Sequence, residues 1–116
     1  LHVRVQCPNW FDINRVQILL NGRLDSRLNF TRSNTPQRFQ SGTVKFDQNL
    51  PVSVDRDSHI IVVAIGEDLQ LGPVVGPAHQ NTRPVAVSNP IWVDVDGKGF
   101  VPNKDTLGAP LPVKQP

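Results

Sequence analysis

Arg15-Val16-Gln17-Ile18-Leu19-Leu20-Asn21-Gly22-Arg23-Leu24 decides how this chain folds. Val16, Ile18 and Leu20 recur at every second position, the period of a strand with one buried face. Asn21-Gly22 follows at once. Both residues tolerate positive φ, and the pair is the strongest short signal for a hairpin turn. The chain is therefore expected to return as a second strand from Arg23 to Thr31, with Leu24, Leu28 and Phe30 as its apolar members.

The same period runs outward in both directions. Leu1 to Cys7 alternates apolar and polar residues until Pro8-Asn9 breaks the strand. Downstream, Ser33-Asn34-Thr35-Pro36 reads as a loop and Phe39 as the opening of a short edge strand. Thr43 to Asp47 reads as a strand with Val44 and Phe46 facing one way. It is expected to continue through Leu50 to Val54 after a bulge at Gln48-Asn49. Asp55 to Ser58 turns the chain, and the β-branched run His59 to Ile65 reads as a central strand covered on both faces. Leu69 to Pro84, with Gly72, Pro73, Gly76 and Pro77, is expected to be a long surface loop. Val85 and Val87 start the last strand, in which Pro90, lacking an N–H, marks an edge or a switch between sheets. Residues 102–116 show no period and are expected to form an extended, proline-rich C-terminal tail. No helical period of 3.6 is sustained. Seven or so short strands with turns between them indicate an all-β fold, an immunoglobulin-like antiparallel β-sandwich over residues 1–101.

Bulk properties agree with one globular domain: 116 residues, 38% hydrophobic and 19% charged. The longest apolar run, Ile60 to Ile65, falls far short of the roughly 20 residues a membrane helix needs. The chain contains no methionine, so Leu1 is not expected to be a native start, and the sequence reads as a piece of a longer protein or a processed product. Cys7 is the only cysteine and lies in phase with Leu1, Val3 and Val5, as a small core residue would. A single cysteine excludes an internal disulfide and leaves the redox compartment open.

Charge is unevenly spread. Residues 1–45 hold seven basic and two acidic side chains, a net +5, and the remainder holds five basic and eight acidic, a net −3. The arginines are scattered over several strands and turns without interleaved aromatics, so no nucleic-acid partner is expected. Cross-strand pairing between the two halves is the simpler account.

Few residues are placed to carry chemistry. Asp94 and Asp96 of Asp94-Val95-Asp96-Gly97-Lys98-Gly99 alternate as ligands of a calcium loop do. Lys98 stands where a third acid would be wanted, and a polar glycine turn explains the stretch equally. Asp55, Asp57 and His59 also alternate and would face one way in an extended chain, as metal ligands or as caps on backbone amides. His2 and His79 have no acidic neighbours in sequence and read as surface residues. Trp10, Phe11 and Trp92 fall outside the core phases. They read either as covers over the ends of the core or as a binding surface for a sugar or a partner protein. Asp12 and Asn14 are expected to hydrogen-bond turn backbone. Asn29-Phe30-Thr31 matches a glycosylation acceptor but lies inside an expected strand. No nucleophile elbow, zincin helix, P-loop or dinucleotide fingerprint is present. No catalytic residue and no cofactor is therefore expected.

Two stretches support a family resemblance. Asp12-Ile13-Asn14-Arg15-Val16-Gln17-Ile18 with Asn21-Gly22, and the close Ser88-Asn89-Pro90-Ile91-Trp92-Val93-Asp94-Val95-Asp96-Gly97, resemble the segment that follows the catalytic domain in carbaryl-hydrolase-like proteins of the polymerase-and-histidinol-phosphatase (PHP) superfamily. The likeness covers roughly residues 1–105. In that family the metal-binding histidines and aspartates lie upstream, so none transfers to this chain. Members often carry an acid where Lys98 stands. The resemblance implies a non-catalytic C-terminal sandwich that packs against or positions the catalytic domain of the same polypeptide, in a periplasmic or extracellular setting. A module binding carbohydrate or an envelope protein through Trp10, Phe11 and Trp92 is the alternative.

Overall fold

The computed structural model describes residues 1–109, so the part of the expected tail at 110–116 lies outside the described residues. Seven strands form in chain order: β1 (His2–Gln6), β2 (Arg15–Leu20), β3 (Arg23–Thr31), β4 (Val44–Asn49), β5 (Ser58–Ile65), β6 (Val85–Val87) and β7 (Ile91–Val93). All pairings are antiparallel. β1 and β4 make a two-stranded sheet. β3, β2, β5 and β6 make the other in that order, with β7 also on β5. The expected all-β sandwich of antiparallel sheets is what forms. Among the described residues no helix is long and apolar enough to cross a membrane.

The core joins the two sheets. Val3 and Phe46 from one meet Val16, Ile18, Leu28, Phe30, Ile60 and Ala64 from the other. Phe46, Ile18 and Val16 are the largest side chains wholly removed from water. Each contributes about 1.5–3 kcal/mol of transfer free energy. Phe46 lies edge-on to Phe39 at 5.3 Å and tilted to Phe30 at 5.9 Å, so three rings fill the middle. The hairpin between β2 and β3 turns where expected, with φ of 53° at Asn21 and 78° at Gly22.

Departures from alternation arise at bulges. Opposite Gln17 and Leu19 the register of β3 jumps from Asn29 to Leu24. An odd number of extra residues reverses the face, so Leu24 is exposed while Leu28 and Phe30 stay buried. The second bulge lies between Val5 and Gln6 and inserts Lys45 on β4, not Gln48-Asn49. Strand pairing ends at Asn49, and residues 50–54 carry no strand. Leu50 is buried, but Pro51 has no N–H to extend the ladder. Phe39 makes a single bridge to Phe46 after a short 3-10 turn over Pro36–Arg38.

The central strand β5 has one core face, carrying Ile60, Val62 and Ala64. Its other face carries buried Val63 among His59, Ile61 and Ile65, which are half-exposed, so that face is covered only in part. Pro90 does not move the chain to the other sheet. β6 and β7 both pair with β5, and the register shifts by one residue across Ser88-Asn89-Pro90. Ser88 bridges the break, giving its backbone N–H to Val62 O at 2.9 Å and accepting the Val62 N–H on Oγ at 3.0 Å.

Candidate functional site

Two places gather ionisable side chains, at opposite ends of β5. The first is built from the segment before β2. Asp12 accepts the Ile13 N–H at 2.8 Å, as expected of a turn residue. It also receives Arg32 Nη2 at 3.1 Å and lies 3.6 Å from Lys45 Nζ. Lys45 is only 3% exposed, because the bulge turns it inward. Its ammonium donates to Asn9 Oδ1 at 3.1 Å as well. Arg32 lies over the Phe39 ring at 5.2 Å and donates to the carbonyls of Ile13 and Gln40.

Asn14 reaches across to the end of β5. Its amide donates to Glu67 O and accepts the Glu67 N–H, both at 2.8 Å. Arg15 grips the Glu67 carboxylate through Nη2 at 2.6 Å and Nε at 3.1 Å, and donates to Asn29 Oδ1 at 2.8 Å. Gly66 completes the clasp. A Cβ there would stand 2.8 Å from Asp12 O and 3.0 Å from the Pro84 ring. Asp12, Asn14 and Arg15 are thus engaged with the sandwich itself. Asn29, the glycosylation match, is engaged with Arg15.

Cys7 lies beside this cluster and donates to Phe11 O at 3.8 Å. Burial pushes its thiol up from the ordinary value, against the opposing pull of Lys45. A thiol held protonated is a poor nucleophile, consistent with a packing role.

The second place is the acidic turn after β7. Asp94 accepts the N–H of Gly97 at 2.7 Å and of Gly99 at 2.8 Å. Asp96 accepts the Lys98 N–H at 3.1 Å, with the Lys98 ammonium 3.2 Å from its other oxygen. Asp57, from the turn before β5, accepts the N–H of Val95 at 3.0 Å and of Val101 at 2.7 Å. The amide of Gly99, chiefly, holds the Asp94 carboxyl below the usual carboxylate range. One oxygen from each of Asp57, Asp94 and Asp96 lies within 4.8 Å of the others. Such a trio could contribute to the shell of a hard cation, which takes 6–8 oxygens. Backbone amides already donate to all three carboxylates, and Lys98 pairs with Asp96.

Asp57 joins Asp94 and Asp96, but Asp55 and His59 do not. Asp55 pairs with Arg56 in solvent, and the His59 ring lies 5.4 Å from Trp92, its cross-strand partner. Phe100 meets Trp92 edge-on at 4.7 Å. Trp92 is 58% exposed and Trp10 53%, so neither covers the core. Trp10 and Phe11 meet edge-on at 6.3 Å at the clasp end, at the far end of β5 from Trp92, so the three aromatics do not form one surface. His2, read as lacking an acid, meets Asp47 at 2.6 Å across the β1–β4 ladder.

The clasp was only partly visible in sequence. Asp12 and Asn14 were recognisable as turn residues, whereas Lys45, Arg32 and Glu67 join them through pairings that no local spacing records. No family model, curated protein or solved structure matches the chain.

Proposed function

We propose that this chain is a non-catalytic accessory β-sandwich that packs against or positions the catalytic part of a PHP-type, metal-dependent hydrolase-like protein. One observation carries the reading. The Asp12-Asn14-Arg15 cluster, the most chemically loaded element of the chain, is bonded to Lys45, Arg32, Glu67 and Asn29 of the same sandwich. Side chains so engaged tie the segment before β2 to β4 and to the end of β5, which supports a structural role for them. The test is to purify the chain, establish a cooperative melt, and assay phosphoester, carboxyl-ester and carbamate hydrolysis with divalent metals added. Folded protein without turnover is expected. Turnover abolished by a single substitution within residues 1–109 would overturn the reading.

The exposed Trp92 ring, braced by Phe100 and His59 beside three carboxylates, favours a second reading as a carbohydrate-binding surface. Titration of tryptophan fluorescence with soluble polysaccharides should then show saturable quenching that Trp92→Ala removes. A flat titration across them would dismiss it.

A further inference from the structure

The sandwich is open along one side. In the β1–β4 ladder Leu1 and Leu50 exchange backbone hydrogen bonds, and Cys7 donates to Thr43 O. Antiparallel ladders alternate, so the N–H and C=O groups of His2, Arg4 and Gln6 point away from β4. Among the described residues no other strand pairs with β1. Across the gap, Ser88 and Pro84 bond to β5, which by the same alternation aims the backbone of Val85 and Val87 outward. Between these two free edges runs a groove of about 420 Å³. Leu1, Val5, Val62, Ala64, Ala86 and Ile91 make its walls apolar.

We propose that this groove receives an extended segment of a partner protein, added as a strand beside β1, with apolar side chains at alternate positions and carboxylates between them. A free ladder edge over an apolar trough fits an extended backbone, whose own N–H and C=O groups complete the pairing. Charge selects the occupant. The lining includes His2 and Arg4; Asp47, outside the lining, takes the His2 ring at 2.6 Å, which leaves Arg4 as the cation that selects. Arg4 is 52% exposed, and its contact with Asp47 is loose at 3.8 Å. A second copy paired antiparallel in register through β1 would set Arg4 opposite Arg4, a like-charge pair that disfavours association. The chain's own residues after Ala109 include Pro110, Pro112 and Pro116, which lack the N–H groups a ladder needs. This inference concerns a surface other than the clasp and goes beyond the scaffold reading.

The probe is a short, end-blocked peptide of alternating valine and glutamate, with lysine replacing glutamate in the control. Amide hydrogen exchange of the whole chain is followed residue by residue. Saturating glutamate peptide should slow exchange at His2, Arg4 and Gln6 by on the order of tenfold or more, and the lysine peptide should not. Arg4→Glu, which faces Asp47 across the ladder and is compared with Arg4→Gln once both show a cooperative melt, should reverse the preference that Arg4→Gln only abolishes. The proposal falls if neither peptide protects these amides, or if Arg4→Glu leaves the preference unchanged. It also falls if the amides become protected with rising chain concentration alone, which would assign the edge to a second copy. Either failure leaves the hydrolysis assay, and the scaffold reading it tests, untouched.

Discussion

The two ends of β5 use the same side-chain chemistry to different effect. At one end Asp12, Arg32 and Lys45 meet around a cation that is almost wholly out of water. At the other, Asp94 and Asp96 lie in an exposed turn and bond mainly to backbone amides two to five residues on. Coulomb attraction grows as water is excluded, and so does the cost of leaving a charge unpaired. The clasp therefore fixes how β2, β4 and β5 meet, whereas the acidic turn shapes a surface loop and adds little to global stability.

That contrast can be broken most sharply at Asp12. Asp12→Ala leaves Lys45 buried with Asn9 as its remaining polar partner and is expected to lose about 2–4 kcal/mol in urea unfolding, below the full value for an enclosed pair because Asp12 is partly exposed. Gly66→Ala comes next. The new methyl meets the Asp12 carbonyl, part of the backbone rather than a movable side-chain tip, and the expected loss is about 1–3 kcal/mol in the same measurement. Asn14→Ala removes both bonds to Glu67 and should lose about 1–2 kcal/mol.

The opposite end should respond less. Gly97 has φ of 71° with open space around it, so Gly97→Ala carries only the left-handed backbone penalty of about 1–2 kcal/mol, reduced by whatever the exposed turn relaxes. Smallest is the pH effect of Asp94. Its carboxyl is lowered in the folded chain, so its stabilising contribution is present above the ordinary carboxylate pKa and is lost as pH falls through the lowered value. Asp94→Asn should flatten that part of the acid unfolding curve, lose the same small contribution at neutral pH, and speed local exchange at Gly97 and Gly99. Melting in calcium and in chelator should give superimposable curves. A calcium-dependent rise would show that Asp57, Asp94 and Asp96 hold an ion, and would raise the acidic turn to the rank of the clasp.

The same contrast separates what the sequence discloses from what it conceals. The period of Val16, Ile18 and Leu20, the Asn21-Gly22 turn and the β-branched run of β5 are local signals, and the fold they imply is the one that forms. Bulges are not local. Unbroken alternation from Phe30 back through residues 25–27 puts Leu24 with Leu28 and Phe30, but the register of β3 breaks there. Lys45 reads as a polar position in an alternating strand, and only its displacement opposite Val5 and Gln6 turns it toward Asp12. The acidic pair Asp94 and Asp96 was legible, yet Asp57 reaches it across 37 residues of chain because β7 pairs with the start of β5. Residues after Val101 also return to the sandwich. Asp105 grips Arg23 at 2.8 and 3.0 Å, and Leu107 sits over Gly22, contacts set by distant partners and invisible to periodicity.

The most direct test of the claim that the clasp residues serve the fold is a double-mutant cycle between Asp12 and Lys45, read by equilibrium unfolding. Lys45→Met alone should cost little, since an apolar chain of similar length fills the same space. In the Asp12→Ala background it should restore most of the lost stability, because the unpaired cation is gone. Additive effects, or an Asp12→Ala protein as stable as the parent, would contradict the account and free that carboxylate for another task.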